Sequence, residues 1–252
     1  MKIYDDQIAL DAVFTKPEGM EKGPVCILIH GLTGWKDEDH ILAAEQALLD
    51  AGAAVLRVDM YGHGKSGGSF HDHTLFKWMS NAMTLIDYVK EMDYTTDIYL
   101  CGHSQGGLLV VLAAALKHDD IKALIPLSPA WKIPENCRKG SMLGRTFDPE
   151  HVPEEFPAWS RGVLGGNYVR VAQTIRVEDY IAKYNGPVLI VQGEADLSVP
   201  ARDAVELSKL YKNCTLKMIP EDDHCFDLHL DMMADAVREW VKETIIAAGG
   251  TK

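Results

Sequence analysis

Residues 99–116 read YLCGHSQGGLLVVLAAAL: an apolar stub, one serine among glycines, then a long apolar run. The stub closes a strand-like segment, Asp97–Cys101, and the run continues as a helix-like one, Gln105–Lys117. Gly102-His103-Ser104-Gln105-Gly106 thus matches G-x-S-x-G in the strand–turn–helix setting the motif requires. The reason is steric: a sharp strand-to-helix turn strains its central residue, and only small neighbours let the backbone fold so tightly. The serine Oγ is pushed out at the C-terminal edge of the sheet, where open α/β folds bind ligands. A serine ahead of a helix is also a common helix cap. Ser104 is a nucleophile only if the rest of the chain supplies a base, an acid and an anion site.

Outward from this turn the chain alternates short apolar runs with helical patterns. Strand-like runs are 25–30, 54–60, 97–101, 123–127, 188–192 and 215–219; helix-like stretches include 41–51, 75–92, 105–117, 201–210 and 228–246. Continuous apolar strands between helices predict a mostly parallel sheet covered on both faces. Two alternating stretches, 2–4 and 7–14, flank Asp5-Asp6 and predict an opening hairpin. From about 129 to 185 the rhythm stops, prolines crowd the first half, and aromatics are frequent. A segment this long is not a bare loop. It reads as a cap inserted into a single domain spanning 1–252.

Composition sets the class. With 252 residues, 47% hydrophobic and 25% charged, the chain has material for a full core. Its net charge of −12 argues against nucleic acid, whose phosphates it would repel. The five cysteines are odd in number, lack metal-type spacing and mostly fall in or beside apolar runs. They read as reduced thiols, with no metal, in a reducing compartment. The N-terminus, MKIYDDQIALDAVF, is no signal peptide, and no run approaches the ~18 apolar residues of a membrane span. A cytoplasmic protein without a membrane partner is expected; the sequence leaves the oligomeric state open, with a homodimer allowed.

A serine hydroxyl needs a base. Ten histidines compete, and His224, in EDDHCF after the last strand, is placed to reach over the sheet edge to Ser104. His229 is the runner-up but falls within a helical pattern, while His30 and His103 sit in motif turns, where backbone bonding is expected. Asp196, in GEADLSVP after the penultimate strand, is the candidate acid to orient the base, with Glu194 and Asp223 as alternatives. An oxyanion needs donors already aimed at it. The Gln105 amide follows the serine, and the loop HGLTG offers the amide of Leu32. DMYGHGKS lacks phosphate-loop spacing and reads as structural punctuation.

Taken together, HGLTG, DMYGHGKS, GHSQGG, GEADLSVP and DDHCF resemble the α/β-hydrolase superfamily, whose chain order is Ser…Asp…His. Within it, DHTLFKW, IKALIPLSPA and NYVRVAQTIRVEDY are similar to the bacterial feruloyl (cinnamoyl) esterases, over nearly the whole chain. The resemblance implies an α/β-hydrolase fold and hydrolysis of small aromatic esters of hydroxycinnamic acids through an acyl-enzyme, with no cofactor. By position it implies Ser104 as nucleophile, His224 as base, Asp196 as orienting acid and the Leu32 and Gln105 amides as oxyanion donors. It further suggests that the cap covers the aromatic acyl group. There Trp159 is expected to offer a flat wall, and Tyr168 to hydrogen-bond a ring hydroxyl. The family often has an aromatic residue where this chain has Leu32, which bears on pocket shape more than on a backbone donor. A monoacylglycerol lipase or short-chain carboxylesterase is the alternative within the same chemistry, and a non-catalytic ligand-binding protein the alternative outside it.

Overall fold

Tyr4 and Ala9 face each other across the first hairpin, formed by β1 (Lys2–Asp5) and β2 (Ile8–Thr15), as the alternation at the N-terminus requires. The computed structural model describes residues 1–249. The chain then winds through β3 (Gly23–Ile29), α1 (Asp39–Asp50), β4 (Ala54–Val58), α2 (Leu75–Lys90), β5 (Thr95–His103), α3 (Gln105–Leu116) and β6 (Ile121–Leu127). A long insertion follows, with α4 (Ile133–Arg138), a hairpin of β7 (Ser141–Met142) and β8 (Arg145–Thr146), and another of β9 (Glu155–Pro157) and β10 (Val163–Gly165). The insertion ends in α5 (Asn167–Gln173) and α6 (Glu178–Ile181), before β11 (Val188–Gly193), α7 (Ala201–Leu210), β12 (Cys214–Ile219) and α8 (Leu230–Gly249).

The eight-stranded sheet has the order β1-β2-β4-β3-β5-β6-β11-β12. It is parallel from β4 to β12, with antiparallel β1 and β2 at one edge. Every residue of β3 is buried, which is why the central strands read as unbroken apolar runs and not as alternation. Helices α1 and α8 cover one face of the sheet, sharing a core with Leu28, Val55 and Val191. On the other face α2 and α3 pack over Ile27, Leu100 and Leu124. Helix α3 is buried all round over Gln105–Ala115 and so shows no polar stripe.

Strand β11 pairs directly with β6, so the insertion leaves the sheet uninterrupted. Its aromatics do not form a separate nucleus. Trp131, Phe156, Tyr168 and Tyr184 are buried in the same cluster as α2, α3 and one sheet face. The segment that lacked a periodic pattern is built of short helices and two- or three-residue strands, too brief for any period to register.

Histidines inside this core make stability depend on acid. His63 is 5% exposed and touches His30, His73, Phe70 and Trp78 edge-on or tilted. Burial, chiefly, lowers it from the ordinary 6.5 to about 4; the Tyr61 carbonyl opposes this, with smaller effects from Arg161 and Asp59. His30 and His73 are also held well below the ordinary value by burial. Below pH 6.5 the unfolded chain takes up protons that the folded one refuses, so stability falls as pH falls. For His63 the loss runs from about pH 6.5 to about pH 4 and reaches about 3 kcal/mol. Urea unfolding at pH 7 and pH 4.5 checks this: the drop in stability should be smaller for His63→Gln than for the parent, and equal drops would refute it.

Candidate active site

Ser104 sits between β5 and α3 with φ 55° and ψ −115°, a left-handed conformation that a non-glycine residue holds only under constraint. The surrounding glycines are what permit it. A Cβ on Gly102 would lie 2.4 Å from the Gly106 carbonyl oxygen, and one on Gly106 would lie 2.5 Å from the His30 and Ile29 carbonyls. The Ser104 backbone is tied to the end of β6 and the loop after it, its N–H donating to Leu127 (2.9 Å) and its carbonyl accepting from Ala130 (3.0 Å). Its side chain makes no helix-capping bond, which removes the capping explanation.

The hydroxyl instead lies 2.9 Å from Nε2 of His224. On the other side of that ring, Nδ1 is 2.7 Å from Oδ2 of Asp196. Three residues from three different loops therefore lie in one hydrogen-bonded line. Asp196 has a fully buried side chain, and its Oδ1 accepts from the Ser198 and Val199 amides, both at 2.8 Å. Its Oδ2 also accepts from Nε2 of Gln192 (2.9 Å). Burial alone would raise the carboxyl; the hydrogen bonds and charge from His224, with Val199 and Gln192, outweigh it and hold Asp196 below the ordinary range. An ionised carboxylate fixes the proton of His224 on Nδ1 and leaves Nε2 free to accept from Ser104.

The alternative acids point elsewhere. Glu194 is exposed, and Asp223 turns back on its own loop, accepting from the Cys225 and Asp227 amides. His229 is not against Ser104; its amide donates to Asp222, which is fully buried and also accepts from Asp223 and Leu228. Asp222 is thus the knot of the histidine loop. His30 and His103 make the backbone bonds expected of them, Nδ1 of His30 to the Gly31 carbonyl (2.7 Å) and Nε2 of His103 to the His224 carbonyl (2.8 Å). In DMYGHGKS, Asp59 accepts from the Lys36 ammonium and the Lys36 and Lys65 amides, all within 2.9 Å, so the loop is a structural clasp.

A cavity of about 610 Å³ opens over Ser104 and His224, within the range of small-molecule sites. Leu32 lines it, as do Ile133, Met142, Leu143 and Val199, which make the walls largely apolar. Trp159 lines it too, 73% exposed and with φ 47°, and Leu197 adds a second exposed apolar side chain. Among the described residues, neither the Leu32 nor the Gln105 amide donates to another backbone or side-chain group of the protein.

Tyr168 is a correction. It does not line the cavity: it is fully buried, and its hydroxyl donates to Oε1 of Gln105 at 2.7 Å. On its other side the Gln105 amide group meets Nε2 of His73 at 3.1 Å. A phenol so enclosed is not presented to a ligand in the cavity. Residue 168 falls in the stretch without a legible period, which left its direction open, and the packing of α5 on α2 turned it inward. Residues missed by sequence reasoning include Gln192, Asp222 and the polar cavity residues Asn136 and Ser141. For these no motif exists; only position in space marks them.

A parallel sheet carrying a strained serine at a strand–helix turn, faced by a histidine and a buried aspartate from later loops, defines an α/β-hydrolase. The sequence model of the family described as serine aminopeptidase, S33, matches residues 21–154, just over half of the chain and including Ser104. The chain belongs to this family of α/β-hydrolases. A solved structure of Est1E from Butyrivibrio proteoclasticus with ferulic acid bound is 55% identical, with a TM-score of 0.96, over 98% of this chain and 99% of that one. Another structure of Est1E is 53% identical with a TM-score of 0.92, over 98% of both chains. Among curated proteins, the human mitochondrial palmitoyl-protein thioesterase ABHD10 is 31% identical over 109 residues, 43% of this chain and 34% of its own length. The match to zebrafish lysophosphatidylserine lipase ABHD12 is 27% identical, over 76% of this chain and 48% of that protein. The matched stretches thus span about a third to a half of these curated relatives.

Proposed function

We propose that the protein is a serine esterase that hydrolyses hydroxycinnamate esters, ferulate esters among them, through an acyl-enzyme. The observation that carries the reading is the line Ser104–His224–Asp196, opening on an apolar cavity with an exposed indole at its edge. The likeness to Est1E, seen with ferulic acid bound, supports the aromatic acyl group. Ser104 attacks the ester carbonyl while Nε2 of His224 takes its proton. The same proton passes to the leaving alcohol, and His224 then activates the water that releases the acid. The Leu32 and Gln105 amides receive the oxyanion; that neither donates to a protein acceptor among the described residues supports this role. The segment 129–185 acts as a cap within a single domain, supported by its core being continuous with that of the sheet.

No described helix is long and apolar enough to cross a membrane. We assign the protein to the reducing cytoplasm, a reading supported by five free cysteines of which three are buried. Light scattering would test a homodimer.

The test of the function is kcat/KM on methyl ferulate against a butyrate ester of the same alcohol. A preference for ferulate supports the reading, and a preference for butyrate replaces it with the short-chain esterase. Trp159→Ala should raise KM for methyl ferulate about tenfold, equivalent to 1–2 kcal/mol of lost aromatic contact, with kcat nearly unchanged. An unaltered KM would remove Trp159 from the substrate site.

Tyr168→Phe leaves the buried Gln105 carbonyl without its donor, at a cost of about 1–3 kcal/mol in urea unfolding. Because Gln105 also carries an oxyanion donor in this scheme, kcat should fall while KM stays close to its parent value. A change in stability alone would leave Tyr168 with a structural role only.

A further inference from the structure

Behind the catalytic histidine lies a cluster that the hydrolytic scheme does not use. His40, near the start of α1, His103, next to the nucleophile, and Cys225, next to the base, each offer a donor atom, all within 4.8 Å of one another. The rings of His40 and His103 lie 4.2 Å apart between centroids, and those of His103 and His224 4.7 Å apart. His40 is 5% exposed, and among the described residues its Nε2, shut off from solvent, has no hydrogen-bond partner. A buried polar atom without a partner calls for an explanation. Its nearest anionic neighbour is Oε2 of Glu38, 3.9 Å away, too far for a hydrogen bond.

The donor set has a definite chemistry. Two imidazoles and one thiol suit a thiophilic divalent ion such as Zn²⁺ and leave a fourth position open. His103 is oriented beforehand by its bond to the His224 carbonyl, as ligating histidines commonly are by a backbone carbonyl. An entry path exists, because Glu38, His103 and Cys225 all line the catalytic cavity.

We propose that His40, His103 and Cys225 form an inhibitory site for a thiophilic divalent cation, reached through the catalytic cavity. On binding, a metal–sulfur bond forms at Cys225 and the thiol proton leaves to solvent. The dication then lies beside the ring of His224, where it opposes the imidazolium that must form when Ser104 gives up its proton. Glu38 offsets part of the added charge. Inhibition, though not binding, rests on the serine-esterase reading above.

Cobalt(II) added to the intact protein tests binding apart from activity. One equivalent should produce a thiolate-to-cobalt charge-transfer band in the near ultraviolet, removed by Zn²⁺ and missing in Cys225→Ala. His40→Gln should weaken Zn²⁺ binding about tenfold or more in competition with cobalt. Saturating Zn²⁺ should suppress ester hydrolysis by the parent at least about tenfold, with recovery on adding EDTA. Absence of the band in the parent, or its persistence unchanged in Cys225→Ala, overturns the site. Tight Zn²⁺ binding with full hydrolysis overturns its inhibitory role. A cobalt–thiolate band in a protein that hydrolyses no ester would leave the metal site standing and refute the esterase reading. Because the band is read on the parent protein, a variant that fails to fold does not rescue the proposal.

Discussion

Ser104→Ala is expected to lower kcat on methyl ferulate by about 10⁶-fold, the scale on which loss of a serine nucleophile acts in serine hydrolases. The side chain removed is the one whose oxygen lies 2.9 Å from Nε2 of His224, and among the described residues no other hydroxyl bonds that nitrogen. KM should change little, since the apolar walls and the Leu32 and Gln105 amides persist. The fold should persist as well: alanine bears the same left-handed φ of 55° with the same Cβ, and among the described residues the substitution removes one hydrogen bond, that to His224. Two measurements check this, single-turnover hydrolysis and covalent labelling by a fluorophosphonate. A variant that retains more than about one part in a hundred of the parent rate, or that still takes the label, would remove Ser104 from its role. A parent enzyme that resists the label would instead favour the ligand-binding alternative.

Asp196→Asn should cost about 10⁴ in kcat, and the geometry says why. In the parent, Asp196 accepts four hydrogen bonds, from the Ser198 and Val199 amides, the Gln192 side chain and His224. Asparagine can keep its oxygen on the two backbone amides, but its NH₂ group then faces Nε2 of Gln192 and Nδ1 of His224. Two donors cannot share a hydrogen bond, so His224 moves its proton from Nδ1 to Nε2. That proton now points at the Ser104 hydroxyl, and the ring has no lone pair with which to accept. The clash with Gln192 should also lower stability by about 1–3 kcal/mol, as for other buried groups left unpaired. Glu194→Gln is the contrast: an exposed side chain away from His224 should leave kcat within about twofold of the parent. If Asp196→Asn lost less than about tenfold, the carboxylate would not be the group that sets the tautomer.

The parallel sheet and the position of the serine were legible in the sequence because both follow from local demands. A central strand with helices on both faces has no polar side, so β3, the buried latter part of β5 and β11 appear as mainly apolar runs. The glycines at 102 and 106 mark places where a Cβ would strike a carbonyl, a constraint set within a few residues of chain and its nearest strand. The order of the three loops that carry Ser104, Asp196 and His224 was equally readable, since each follows a strand that the pattern identifies.

What the tertiary structure alone decided is direction. Glu194, Asp196 and Asp223 lie in adjoining loops with similar chemistry, and nothing periodic says which turns inward; the amides of Ser198 and Val199 select Asp196 by holding its oxygen. Tyr168 reads as a residue for the cavity but is committed to Gln105, sixty-three positions away, because α5 packs against the core there. His40, His103 and Cys225 meet although they come from a helix, a strand end and a late loop, and no spacing rule links them. Hydrophobic periodicity records which face of an element is buried, whereas a site is made where several elements end. The side chains of those ends are aimed by hydrogen bonds across the sheet edge, which exist only once the chain has folded.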